Sequence, residues 1–300
     1  MSALPSPGDN ARGILLMIGA IFAFSLMDLL AKAIGQRADV VMALWARYAG
    51  QALVVLLIVA PRLASVARTR HPGLQLLRSV VLLGATISFF TGLTHIGLAE
   101  ATAIMDVNPV LVTLGGALFL GERLGPRRLA AIALALLGAL VIIRPGSAVF
   151  SPYAVLPLLA AIFYSAYALL TRLAGRDEDP WTSLLYTALF GAVVLSFAVP
   201  FFWVPPDAVT LALMAAIGLV GAAGQLMLIR ALALAEAGTV APFSYAGLVF
   251  AAIWGLVFFG EIPDMPTVIG AAIIAGAGLY VWYRETRAAR AVHGGPRPGP

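Results

Sequence analysis

The 300-residue chain is 61% hydrophobic and 11% charged, with a formal net charge of +5, a mean hydropathy of +0.98 and no cysteine. A soluble domain carries about 25% charged residues, so most of these side chains must face lipid or one another, and an independent hydrophilic domain is excluded. Without cysteine there are no disulfides, thiolate metal sites or cysteine nucleophiles.

The first apolar run, 13–34, follows Arg12 and is too long for the core of a cleavable signal peptide, so it reads as a permanent span. Further runs follow at 40–60, 76–95, 100–120 and 129–143, then at 153–173, 181–203, 209–229, 239–259 and 267–283. Each approaches the ~20 residues needed to cross a bilayer as a helix, the fifth being the shortest. Barrel strands alternate polar and apolar residues, whereas these runs are apolar on every face. The expected fold is therefore all-α and integral to the membrane, with ten transmembrane helices. The tail at 284–300, rich in Arg, Ala, Gly and Pro, reads as a disordered basic segment.

Counting Lys and Arg on alternate sides of these spans places 15 on one side and 3 (Lys32, Arg37 and Arg144) on the other, with Arg47 inside a span. The positive-inside rule then makes both termini cytoplasmic, as expected for the inner membrane of a bacterium. The basic residues orient the chain against anionic headgroups, which explains the positive charge without nucleic acid as a partner; the lipid bilayer is the partner implied.

An internal repeat is visible by eye. Ala99-Glu100-Ala101 opens the fourth span, which ends at Gly121-Glu122, and Ala235-Glu236-Ala237 opens the ninth, which ends at Gly260-Glu261. At a constant offset of 140, Ser25, Leu29, Leu30, Lys32 and Gly35 match Ser165, Leu169, Leu170, Arg172 and Gly175. Each repeat (13–144 and 153–283) holds five spans, and because five is odd the second must enter from the opposite face. Inverted pairs of this kind recur in alternating-access carriers.

These paired modules, each with an Ala-Glu-Ala opening and a Gly-Glu end before a last apolar helix, resemble the EamA modules of the drug/metabolite transporter superfamily over 13–283. The chain is similar overall to bacterial exporters of aromatic and other amino acids. The resemblance implies a transporter rather than an enzyme, exporting amino acids with broad specificity and using no cofactor; multidrug or other metabolite efflux is the alternative within the superfamily. It also implies that the first, third and fourth helices of each half surround the substrate path.

Ionisable groups inside spans are functional suspects by default. Asp28, Arg47 and Asp106 each lie roughly 8–11 Å below the outer surface at 1.5 Å per residue. Asp28 and Arg47 are expected to form a structural ion pair; the rival reading makes Asp28 or Asp106 a proton or substrate-ammonium site. Arg47 is the single basic residue deep in a span on this reading, which weakens a nucleotide-sugar carrier. Pro109 and Pro242 remove backbone hydrogen bonds early in corresponding helices and are expected to act as hinges. Around them, Phe24, Phe90, Asn108, Tyr164, Tyr167, Gln225 and Tyr245 join Asp28 as candidates for contacting a small organic substrate. Glu100, Glu122, Glu236 and Glu261 sit at helix ends, where carboxylates cap backbone donors. His71, His95 and His293 show no ligand spacing, so no metal site is expected.

Overall fold

The computed structural model describes residues 7–120, 125–147, 150–174, 178–234 and 241–293, and every regular element among them is helical. The longer ones of the first half, in chain order, are α1 (Pro7–Gly35), α2 (Val40–Val59), α3 (Pro72–Leu93), α4 (Leu98–Met105), α5 (Asn108–Leu120) and α6 (Pro126–Ile143). The second half supplies α7 (Val155–Ala174), α8 (Pro180–Ala198), α9 (Ala208–Leu234), α10 (Ala246–Phe259) and α11 (Met265–His293). Eight segments are long and apolar enough to cross a membrane, and two shorter apolar helices, Leu129–Ile143 and Phe243–Phe259, accompany them.

Helix starts are fixed by local chemistry. Asp39 accepts a hydrogen bond from Val41 N at 2.8 Å and caps α2; Asp179 accepts from Trp181 N at 2.9 Å and caps α8. The two caps are 140 residues apart, so the offset seen between the first helices of the halves extends into the second pair. Asp207 and Asp264 cap α9 and α11 in the same way, accepting from Thr210 N and Thr267 N.

The fourth span is not one continuous helix. It breaks at Asp106 and Val107, between α4 and α5, and Pro109 is the second residue of α5. A proline has no amide to donate and restricts the residue before it, so the helix ends ahead of it and restarts. Pro242 lies likewise in a short 3-10 turn, Ala241–Tyr245, that precedes α10. The Ala-Glu-Ala opening at 235–237, with Glu236, and the Gly-Glu end at 121–122 lie outside the described residues. Helical backbone also continues from 284 to 293, part of the stretch that composition alone marks as disordered.

The halves exchange partners. α1 packs along α9 and α3 along α7, while α2 lies against α8 and α6 against α11, each a pair of corresponding helices. One continuous apolar core takes residues from both halves, from Met27 and Leu44 to Ile217 and Ile274. Close crossings require glycine at two places. A Cβ on Gly50 would stand 2.6 Å from the Cα of Gly218, where α2 meets α9. Between α6 and α11 the seam is reciprocal: Gly138 receives Ile274 and Gly270 receives Ile142. Small residues at such positions let helix backbones approach within the membrane.

Candidate substrate cavity

A cavity of about 290 Å³ lies between the halves. Its wall includes Phe24 and Asp28 from α1, Arg47 and Tyr48 from α2, and Thr86, Phe89 and Phe90 from α3. Asp106 and Asn108 reach it from the break between α4 and α5, Tyr164 and Tyr167 from α7, Gln225 from α9, and Ser244 from the turn before α10. Seven of the eight residues singled out from the sequence as substrate contacts (Phe24, Asp28, Phe90, Asn108, Tyr164, Tyr167 and Gln225) thus share one space. Tyr245 does not line it: its hydroxyl lies against Gly278 of α11, whose missing side chain leaves room for the ring.

The expected Asp28–Arg47 ion pair is not closed. Among the described residues no carboxylate oxygen comes within 4.0 Å of Arg47. Arg47 instead donates from Nη1 to Thr86 Oγ1 at 3.1 Å and from Nε to Met27 Sδ at 3.3 Å, and its guanidinium lies 4.7 Å from the Tyr48 ring centroid and 5.7 Å from that of Phe90. Aromatic faces stabilise a desolvated guanidinium, so neighbours on α1, α2 and α3 hold the cation without neutralising it. Thr86 is the hub, since its hydroxyl also meets Tyr48 OH at 3.0 Å.

On the opposite wall Tyr164 and Tyr167 place their ring centroids 5.7 Å apart. Asn108 is fixed by Ser165, which donates to its Oδ1 at 2.9 Å. The ring of Phe24 rests on Gly224, where a Cβ would come to 3.0 Å from it. A small chamber with several aromatic rings and ionisable groups of both signs results, a form suited to an organic molecule with polar ends.

Two buried cations outside the cavity escaped sequence reasoning. Arg78, counted from the sequence among the charges at the cytoplasmic edge, is 1% exposed. It donates from Nε to Thr171 Oγ1 at 3.0 Å and from Nη1 to Gln75 Oε1 at 2.6 Å, and its guanidinium lies 5.1 Å from the ring centroid of the cavity residue Tyr167. Gln75 in turn donates to Glu178 Oε2 at 3.3 Å. Burial pushes the Glu178 carboxyl up, but hydrogen bonds from Thr69, Arg70 and Gln75 outweigh it and hold the group below its ordinary range. Arg47 is therefore not the single deep basic residue, although Arg78 is committed to protein partners. The signal that was available is Gln75 three residues before Arg78, on the same face of α3.

Lys32, read as an outer-edge charge, is 4% exposed. It pairs with Glu261 at 2.5 Å and donates to Ile96 O at 2.6 Å. Glu261 Oε2 also accepts from Leu98 N at 2.8 Å, so the carboxylate that ends α10 caps the start of α4. Gly260 makes this possible: at φ +66° it takes the left-handed conformation that closes α10, its amide and that of Glu261 returning to Leu256 O and Gly255 O. The Gly-Glu signature thus has a physical meaning in this copy. Nearby, Arg144, itself left-handed at φ 49°, pairs with Asp264 at 2.6 Å.

The EamA-like transporter family model matches the chain twice, over residues 11–144 and 151–283. The chain belongs to this family. It is 34% identical to the pseudopaline exporter CntI of Pseudomonas aeruginosa, over 88% of this chain and 94% of that protein. It is 33% identical to a riboflavin transporter of Rhizobium johnstonii, over 95% of each, and 26% identical to an S-adenosylmethionine uptake transporter of Rickettsia prowazekii, over 94% and 96%. A solved crystal structure shares the fold at a TM-score of 0.64 and 21% identity, covering 93% of this chain and 99% of the other. The chain is accordingly a multi-pass membrane transporter of small metabolites in the drug/metabolite transporter superfamily, and not an enzyme.

Proposed function

We propose that this transporter exports amino-acid-type metabolites, aromatic ones included, across a bacterial inner membrane by alternating access through the cavity between its halves. The observation that carries the reading is the wall itself, where a guanidinium, two carboxylates and six aromatic rings from Phe24, Tyr48, Phe89, Phe90, Tyr164 and Tyr167 surround a volume of about 290 Å³. Amino acids offer a carboxylate, an ammonium and an apolar body of matching size. The substrate-contact roles of Phe24, Asp28, Phe90, Asn108, Tyr164, Tyr167 and Gln225 belong to this proposal. Ten spans in two inverted sets of five (13–144 and 153–283), with both termini cytoplasmic, complete it. The break beside Pro109 and the 3-10 turn that holds Pro242 act as hinges that open the cavity to either side in turn.

A second reading is favoured by the comparisons. Relatives of near-equal length are named for pseudopaline, riboflavin and S-adenosylmethionine, so another metabolite with polar ends and a planar or apolar body is the rival cargo. Counterflow in proteoliposomes decides between them. With vesicles loaded with unlabelled phenylalanine, threonine or a nucleotide sugar, labelled phenylalanine should accumulate in the first two cases and not the third. No accumulation from either amino acid, in protein shown to be folded, would sink the amino-acid reading and turn the search to riboflavin-like and other metabolites.

A further inference from the structure

Neither acid of the cavity, Asp28 or Asp106, has an ion pair among the described residues, but Asp106 is the one with a buried, unpartnered carboxylate oxygen. It ends α4 at the break in the fourth span, and its Oδ2 is buried with no hydrogen-bond partner among the described residues. A carboxylate out of water ordinarily draws on several donors or a cation. Arg47, on the other wall, already has Thr86, Met27 and two rings about it. The groups that share the cavity or its edge with Asp106 are Asp28 from α1, Arg47 from α2, Tyr164 and Tyr167 from α7, and Tyr245 from the turn before α10. Asp28, a second acid, lines the same cavity. The C-terminal end of α4 adds the negative end of a helix dipole at the same spot, where cations are favoured.

We propose that Asp106 is the cation subsite of the cavity, receiving the ammonium of a substrate whose carboxylate goes to Arg47. The inference rests on the transport reading above for its choice of zwitterion, but the subsite stands on the unpartnered oxygen and the cavity around it. Substrates are selected by polarity: a positive group is required, a carboxylate strengthens binding, and an acid without an amine is rejected. The aromatic rings hold the body between the two charges, which explains how one cavity takes side chains of different shape.

Three probes of one shape separate the terms: phenylalanine, phenylethylamine without the carboxylate, and phenylpropionate without the ammonium. Binding is read as thermal stabilisation of the purified full-length chain, and competition as inhibition of phenylalanine counterflow. In the unchanged protein phenylethylamine should bind at least tenfold more tightly than phenylpropionate. Asp106→Asn should weaken phenylethylamine tenfold or more and not weaken phenylpropionate, Asp106→Glu should restore much of the amine binding, and Arg47→Gln should erase the preference for phenylalanine over phenylethylamine. Asparagine removes a charge that has no partner, so the variant should keep its melting temperature. Amine binding unchanged in Asp106→Asn overturns the proposal. So does a variant that loses only its response to a pH gradient, because Asp106 then serves a proton. Absence of phenylalanine counterflow with amine stabilisation intact would refute the transport reading alone, whereas absence of amine stabilisation in the unchanged protein would refute the subsite.

Discussion

The wall that the first half gives to the cavity carries Asp28, Arg47 and Asp106; the wall from the second half carries Tyr164, Tyr167, Gln225, Thr187 and Ser244, none of them charged. At the repeat offset of 140, Asp28 corresponds to Ala168 and Arg47 to Thr187. The same offset relates Asp39 to Asp179, which do identical work as helix caps. What the halves share is therefore the chemistry that starts and packs helices, and what they do not share is the chemistry that faces the cavity. Duplicated backbone requirements persist in both copies because each copy must still fold, while a single ligand presents different groups to the two walls.

The largest test of that contrast is to strip each wall in turn. Arg47→Gln should slow transport about 100-fold, since losing a charge-assisted contact costs about 1.5–3 kcal/mol and each 1.4 kcal/mol is tenfold. Gln225→Ala, which removes a neutral contact, should slow it by about tenfold or less. Initial rates of counterflow measure both, and equal losses would erase the division between a charged and a neutral wall.

A middle-sized effect concerns the knot of Lys32, Glu261 and Leu98 N, which ties the first half to the second. Lys32 is 5% exposed in its side chain and Glu261 30%, so stranding the lysine costs more than stranding the acid. Glu261→Gln should destabilise by about 3 kcal/mol, the lower end for breaking a buried pair, and Lys32→Met by roughly half of that. The double variant should cost less than the sum of the two. Thermal unfolding in detergent gives all three values; strict additivity would mean that the pair is not coupled.

The smallest effect lies at Glu178, the loop acid that gathers Thr69, Arg70 and Gln75. Its folded-state pKa is below the ordinary 4.5, so its contribution is fully present above that value and is lost as pH falls through the folded-state pKa. Glu178→Gln should melt about 2–4 °C lower than the unchanged protein at neutral pH, for roughly 1 kcal/mol. The gap should close as the pH is taken below 4.5; a gap that persists in acid would remove the carboxylate from the account.

Much of the architecture was readable in advance because a bilayer leaves little choice: apolar runs of spanning length must be helices, and prolines must interrupt them. The cavity was largely readable for the same reason, since Asp28, Arg47 and Asp106 are too costly to face lipid. Long side chains defeated the reading. Arg78 and Lys32 sit near span ends, where a sequence suggests headgroups, but they fold back onto Gln75 and Thr171 or onto Glu261 and Ile96. Arg47 found Thr86 and two rings in preference to Asp28. Tyr245 turned toward Gly278, a pairing that depends on α11 lying alongside.

The reciprocal seam of α6 and α11 bears on how such a chain arises. Glycine takes isoleucine in both directions, Gly138 with Ile274 and Gly270 with Ile142, which is the pattern two identical subunits make about a two-fold axis. The same reciprocal contact would serve two separate copies of one half related by such an axis. Fusion of the copies frees their sequences to diverge, and a charge such as Asp106 can then be acquired on one side without being imposed on the other.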